Sequence, residues 1–446
     1  MFINLTNIDF CPGSGGGSAN LQEGKSVTYT TNGNYTINPD EGYDGLSSVG
    51  VTVNYNGTDY RNQTGTVDVD GLRAIGWDET SINYFNANAL HYPWENDNYK
   101  VTDGNKALYG VIDSSNISNY RDDPNFIYCP YFDTSSKTNM DSMFEYCSRL
   151  KSIPLLNTSN VTSMGSMFYS CSTLTTIPLI DTSNVTLMES MFSYCVSLKN
   201  IPQLDTSSVE SMRSMFYNCT SLKTIPQLNT SNVTSMYNMF SHCESIETIP
   251  QLDTSKVTNM YQMFGGCTSL KTIPQLDTSK VTTMSSMFEG CTSLKTIPQL
   301  NTSNVTSMYN MFYNCKSIET IPQLDTSKVT SMNSMFGGIY WSMNLRRIEG
   351  LDMSSVTNAD SMFDGRPDLS YIRLNGSLNI SLDISITSKL DYDSVKSVLT
   401  AASNTVNTDS KTLSFNSTLT DQNGELATLV STCTSKGWTI NGLTLS

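Results

Sequence analysis

The chain is poor in charge, and what charge it has is one-sided. Only 15% of its 446 residues are charged, yet 26 Lys and Arg against 41 Asp and Glu leave −15 at neutral pH. Nucleic acids and anionic bilayer surfaces both need clustered cations, so neither partner is expected. No apolar run approaches the roughly 20 residues of a membrane span, so insertion is not expected either. The first residues, Met1 to Ser18, lack a basic stretch and a continuous apolar one, and no secretory signal is read there. Histidine is nearly missing. His91 and His242 are the only two, and no partner recurs beside either. General acid–base and triad chemistry have little to stand on, and the chain is expected not to be an enzyme.

What the chain does have is a repeat of 24 residues. The pair Met-Phe recurs from Met143-Phe144 to Met335-Phe336 without a slip, and eight of the eleven cysteines, Cys147 to Cys315, keep the same step. One unit reads Cys219-x-x-Leu222-x-x-Ile225-Pro226-Gln227-Leu228-Asn229-Thr230-Ser231-x-Val233-x-x-Met236-x-x-Met239-Phe240. Fixed self-similarity at this length predicts a solenoid of stacked rungs. The expected fold class is an α+β solenoid of leucine-rich-like repeats, each a short strand (Leu222 to Leu228) and a short helical return (Val233 to Phe240). A Pro in every strand interrupts the ladder once per rung. Rungs stacked at about 4.8 Å place the cysteines in one buried ladder of reduced thiols behaving as small hydrophobes.

The column beginning at Cys129 and running through Ile153 to Ile321 continues, after a three-residue insertion, at Ile348 and Ile372. Eleven rungs would span roughly 50 Å. The pattern decays at its end, where Ile339 and Arg366 stand in the Cys column and Ala359 in the Met column. The expected domains are a docking peptide and Gly/Ser linker (1–18), a small β domain (19–70), an N-terminal cap (71–125), the solenoid (126–374) and an α/β C-terminal cap (375–446). In the last, Val395, Val398, Leu399 and Ala402 mark one helical face, and Leu426, Leu429, Val430 and Cys433 another.

Two motifs have structural explanations. Asn-Val-Thr at Asn160, Asn184, Asn232 and Asn304 fits the glycosylation sequon, but it is a by-product of the repeat. The recurrent Asp of Asp-Thr-Ser gives way to Asn at 157, 229 and 301 and has no second acid beside it. It is expected to cap backbone groups where strand meets helix. No metal and no cofactor are expected. The candidate binding surface lies in variable or polar columns. Tyr169, Tyr194, Tyr217, Tyr237, Tyr261, Tyr309 and Tyr313 are interspersed with Gly, Ser and Asn, a composition typical of adaptable recognition surfaces. They could equally just cover the helical edge. Gln203, Gln227, Gln251, Gln275, Gln299 and Gln323 form a polar ladder on the strand side, read as solvated stacking or as a binding strip.

The recurring Asp-Thr-Ser-x-Val-Thr-x-Met-x-x-Met-Phe-x-x-Cys-x-x-Leu resembles the BspA-like, or bacterial-surface-protein, type of leucine-rich repeat over about 130–370. The flanks, Asn20 to Val27 with Asn38 to Leu46 and Gly76-Trp77 through Lys106 to Gly110, resemble segments of virion proteins from crAss-like and related tailed phages of gut Bacteroidetes. The resemblance implies a phage virion protein, a tail or capsid fibre or appendage assembled in the host cytoplasm. Its N-terminal region would dock on other virion proteins, while the solenoid binds a host cell-surface protein or glycan. A homo-oligomer fits the same picture. The alternatives are an exported bacterial surface adhesin and a tail-associated polysaccharide-degrading enzyme.

Overall fold

The computed structural model describes residues 134–446, save 152, 154, 155 and 340–343, together with four short strands nearer the N-terminus. The expected N-terminal cap, Cys129 and His91 lie outside the described residues. Two compact units divide the chain, Met1–Val185 with Tyr194–Leu204, and Thr186–Ser193 with Asp205–Ser446.

In the first unit, β1 (Gly16–Leu21) pairs in parallel with β2 (Asn34–Pro39), and β3 (Asn54–Tyr55) runs antiparallel to β4 (Thr58–Asp59). The alternation at Tyr35-Thr-Ile37 falls inside β2. β1 begins at Gly16, so three residues expected in the Gly/Ser linker belong to a strand. Pairing with β2 outweighs their weak intrinsic preference.

The rungs are stacked as the repeat predicts, but their local structure differs from expectation. In the second unit neither a strand over Leu222–Leu228 nor a helix over Val233–Phe240 forms. Parallel bridges instead join one residue per rung, Ser211 to Ser235, Ser235 to Asn259, and on through Thr283, Ser307 and Ser331. The return after it is a run of overlapping turns. Met215, Tyr217 and Cys219 donate N–H back to the carbonyls of Met212, Ser214 and Phe216 (3.2, 3.1 and 3.1 Å). The intervening residues Met212, Ser214, Phe216 and Asn218 donate to Ser235, Tyr237, Met239 and Ser241 of the next rung (3.2, 2.8, 3.0 and 2.8 Å). Alternate N–H groups thus serve the rung and its neighbour, and every donor from Met212 to Cys219 bar that of Arg213 is paired this way. The first unit does the same, with Met140, Ser142, Phe144 and Tyr146 donating to Ser163, Gly165, Met167 and Tyr169.

Two causes explain the difference. Ser214 (φ 54°) and Asn218 (φ 58°), with their equivalents in other rungs, adopt the left-handed conformation that a right-handed helix excludes. Pro226 and its equivalents remove the ladder donor from the Ile-Pro segment. Where that Pro is missing, the same column does form strands: Ile348-Glu349 lies in β5 (Arg347–Asp352) and Ile372-Arg373 in β6 (Tyr371–Asn375), paired in parallel.

The core is built from whole columns. Val209, Met212, Met215, Phe216, Cys219 and Leu222 and their counterparts from Val161 to Phe336 are fully buried. In the second unit the Phe rings from Phe192 to Phe363 stack with centroids 5.6 to 6.0 Å apart and planes within 11°. The described cysteines are free thiols. Each repeat thiol from Cys171 to Cys315 donates to a Phe carbonyl of the preceding rung, Cys219 to Phe192 and Cys315 to Phe288 (3.0 and 2.9 Å). Burial pushes the thiols up, Cys267 and Cys315 to about 12, so they stay protonated donors. At the end of the ladder the Ile339 side chain turns outward and has no thiol to donate. Arg366, which is buried, donates instead through Nε to Phe336 and through Nη2 to Phe312 (3.4 Å for the latter). One guanidinium replaces two thiols.

Beyond the rungs, β7 (Leu382–Asp383), β8 (Thr412–Leu419) and β9 (Thr439–Leu445) form a parallel sheet in that order. Helix α1 (Tyr392–Ser403) is capped by Asp391, and α2 (Glu425–Ser435) packs on it. Val395, Val398, Leu399 and Ala402 are buried on α1. On α2 only Leu426 and Cys433 are, with Leu429 and Val430 half-buried.

Candidate functional site

The tyrosines occupy three columns of the turn run. Tyr237, Tyr261 and Tyr309 share one with Arg213. The Arg213 guanidinium lies 4.4 Å over the Tyr237 ring, and Tyr237 stacks on Tyr261 at 5.0 Å. Tyr217 and Tyr313 fall in a second column, and Tyr217 meets His242 edge-on at 5.9 Å. In the first unit Tyr146, Tyr169 and Tyr194 meet edge-on at 5.4 Å each. Burial raises the phenols of Tyr169 and Tyr261, which remain hydroxyl donors. The structure thus gathers Tyr169 with Tyr194, Tyr217 with His242 and Tyr237 with Tyr261 into short aromatic files, and Tyr309 and Tyr313 join none of them among the described residues.

The Ser, Gly and Asn among them have another explanation than adaptable recognition. Ser214, Asn218, Asn238, His242, Gly266 and Gly290 all have φ between 54° and 74°, a region that small or Asx-like residues enter most cheaply. Tyr194 itself sits at φ 62°. Part of the signal was available in the sequence: the column from Ser142 to Ser334 holds only Ser, Asn and Gln, as a backbone constraint demands and a contact surface does not, whereas the column of Asn218 also admits Tyr146, Tyr194 and His242.

The Gln ladder is a set of staples. Gln227 donates through Nε2 to the carbonyl of Leu228 and to that of Gln251 in the next rung (3.1 and 2.5 Å), and Gln251, Gln275 and Gln299 repeat the pattern (2.7 Å to the next rung). Gln203 donates to Leu204 at 3.2 Å. Gln323 ends the series. Its successor is Gly350, and its own side-chain amide makes no hydrogen bond among the described residues.

The Asp-Thr-Ser column caps backbone as expected, but as Asx turns, since no helix follows. Asp277, Asn301 and Asp325 accept through Oδ1 from the N–H of Ser279, Ser303 and Ser327 (2.9, 3.1 and 3.0 Å). The buried Thr278, Thr302 and Thr326 donate Oγ1 to the next rung (2.8, 2.8 and 3.0 Å). Hydrogen bonds from Ser279 and Ser327 hold the carboxyls of Asp277 and Asp325 below the usual range. The sequon asparagines are spent too, Asn232 and Asn304 each donating to the preceding rung at 2.8 Å.

Between the Gln and Asx columns of the second unit runs a groove of about 1030 Å³, lined over successive rungs by Gln275, Gln299, Gln323, Asp277, Asp325 and Asp352 among others, with Gly350 and Asn375 at one end. No Lys, Arg, His or aromatic residue lines it. The Gln275, Gln299, Thr and Ser donors are consumed inside the wall, which leaves the Gln Oε1 row and the second oxygen of each carboxylate as acceptors, Asn301 Nδ2 and the Gln323 amide as donors, and Leu276, Leu300 and Leu324 as apolar lining. Among the described residues no group of three His, Cys, Asp or Glu is placed to hold a metal, and no helix is long and apolar enough to cross a membrane.

Comparison with solved structures finds bacterial leucine-rich-repeat proteins. One is from T. pallidum (20% identity, 43% of this chain and 77% of that one, TM-score 0.25), and another from Eubacterium ventriosum (16%, 56% and 78%, TM-score 0.33). A complex of TLR13 with ssRNA13 also matches, at 13% identity over 69% of this chain and 53% of that one, TM-score 0.23. These likenesses are too loose to carry an argument, and the case for a repeat solenoid rests on the rungs themselves. No curated protein matches the chain significantly. Residues 124–225, 196–300 and 241–345, overlapping stretches that hold most of the repeat, match the family described as "Mycoplasma protein of unknown function, DUF285".

Proposed function

We propose that this chain is a non-catalytic binding protein whose stacked rungs hold a partner. The acceptor-lined groove carries the reading: it is concave, spans several rungs, and its polar groups are fixed by the wall before any partner arrives, which lowers the cost of binding. The aromatic files offer a second contact surface, since large rigid rings give contact area at little entropic cost. The sequence resemblance supplies a setting, a tail or capsid appendage of a phage virion that touches a host-surface protein or glycan. An exported adhesin would use the same surfaces.

The test is retention of the full chain on host-type Bacteroidetes cells, with Tyr237, Tyr261 and Tyr309 changed to Ser in parallel. Retention that falls with the triple variant, at unchanged melting temperature, supports a binding role for that edge. No retention of the unaltered chain on cells or on any virion protein overturns the binding reading. Release of oligosaccharides from surface polysaccharide would favour the degrading-enzyme alternative. For the virion setting, a fragment of residues 71–446 is expected to fail to enter particles, and normal incorporation would place attachment in the rungs.

A further inference from the structure

We propose that the groove takes an extended peptide segment bearing lysine or arginine side chains. The inference deepens the binding reading and rests on it. It follows from a tally of donors and acceptors along the groove wall. Nε2 of Gln275 and Gln299 is engaged twice over, by the following Leu carbonyl and by the next rung. Thr278, Thr302 and Thr326 donate to the next rung, and the N–H groups of Ser279, Ser303 and Ser327 are turned onto the Asx side chains. Asn301 Nδ2 and the Gln323 amide apart, the wall therefore asks its occupant for donors. Asp277, Asp325 and Asp352 add negative charge; no cation stands in the lining itself, and Lys280 and Lys328 act on Asp277 and Asp325 from outside it. Asn301 separates Asp277 from Asp325, which spares them the mutual repulsion that adjacent Asp253 and Asp277 feel.

The occupant's class follows from what the groove lacks. A glycan presents hydroxyls that accept as readily as they donate and stacks its apolar face on aromatic rings; here donors are scarce and no ring lines the groove. A peptide backbone supplies N–H groups for the Gln Oε1 row, and flexible ammonium or guanidinium stems reach carboxylates one or two rungs apart, about 5 to 10 Å. The backbone carbonyl of such a segment also needs a donor. Gln323 provides one, because the staple series ends there: Gly350 brings no side chain, and the Gln323 amide projects beside it, 3.0 Å from where a Cβ would stand.

The chain contains its own design for the test. Asn occupies the Asp column at 301 and makes the same turn (3.1 Å to Ser303 N–H), so Asp277→Asn with Asp325→Asn removes charge and keeps the wall. Fluorescence anisotropy on the full chain would use labelled hexalysine, with hexaglutamate, a Gly-Ser hexamer and a neutral hexasaccharide as competitors. Hexalysine is expected to bind, and the double variant to weaken it about tenfold, some 1.4 kcal/mol. Gln323→Ala is expected to cost a further loss without changing the salt dependence. A matched pair off the groove, the exposed Glu244→Gln with Glu247→Gln, is expected to change affinity less than about twofold, as exposed charges do. Equal losses in the two double variants would mean attraction to net charge alone and overturn the proposal, as would preferential binding of hexaglutamate or the hexasaccharide. If hexalysine fails while cells still retain the chain, this inference falls and the binding reading stands.

Discussion

A helical return and a turn run make opposite demands on Ser214, and a single position can separate them. Ser214 has φ 54°, its N–H donates to Tyr237 at 2.8 Å, and its own hydroxyl makes no hydrogen bond among the described residues, so changing the side chain alters mainly the backbone's ease in this conformation. In the left-handed region an ordinary L-residue pays roughly 1 to 2 kcal/mol that glycine escapes. Glycine's looser unfolded chain takes back about 0.5 to 1 kcal/mol. The Gly variant should therefore be more stable than the Ala variant by about 1 kcal/mol, and Ser214→Val should be worst of the three because its branched Cβ crowds the backbone further. A helix interior gives the reverse, Ala above Gly by about 1 kcal/mol. The two structures thus differ by about 2 kcal/mol in one comparison. Urea midpoints at constant slope measure it directly. Ala more stable than Gly at Ser214 would refute the turn run and restore the helix.

The remaining predictions concern the ladders. Native protein should react slowly with a bulky thiol reagent and denatured protein fully, because Cys171, Cys243 and Cys291 are buried with strongly raised thiols; an intact mass showing linked cysteine pairs would end that reading. Deleting residues 220–291 joins Cys219 to Thr292 in register, since 220–240 and 292–312 are identical, and should give a folded protein. Small-angle scattering should find its array about 14 Å shorter, three rung spacings; aggregation of this deletion beside a tolerated out-of-register one would contradict the stack. Asp181, Asp253, Asp277 and Asp325 have folded-state values below their unfolded ones, chiefly through hydrogen bonds from Ser two residues on. Their contribution is present above about pH 4 and lost as pH falls through the folded values. Replacing Asp253 and Asp277 by Asn should therefore flatten the loss of urea midpoint between neutral and acid pH, and an unchanged acid limb would show that the turns do not couple to it.

The sequence by itself determined the rung. The 24-residue period places Val209, Met212, Met215, Phe216, Cys219 and Leu222 in columns, and columns of apolar residues can be buried only by stacking. The buried free thiols and the structural roles of the Asp column and the sequon Asn were equally legible, because each is a property of a column. Tertiary structure decided how each rung is folded. Whether Val233 to Phe240 turns or coils depends on φ at Asn238, which a neighbouring rung fixes by accepting its N–H at 2.9 Å; the Ser, Asn and Gln of that column permit the left-handed conformation but do not impose it. The same holds for the Gln column. Solvated stacking, binding strip and staple share one composition, and only the next rung's carbonyl, 2.7 Å away, distinguishes them. The groove was beyond the sequence for the same reason: an acceptor is free or spent according to what the adjacent rung donates, and that is set when the rungs stack.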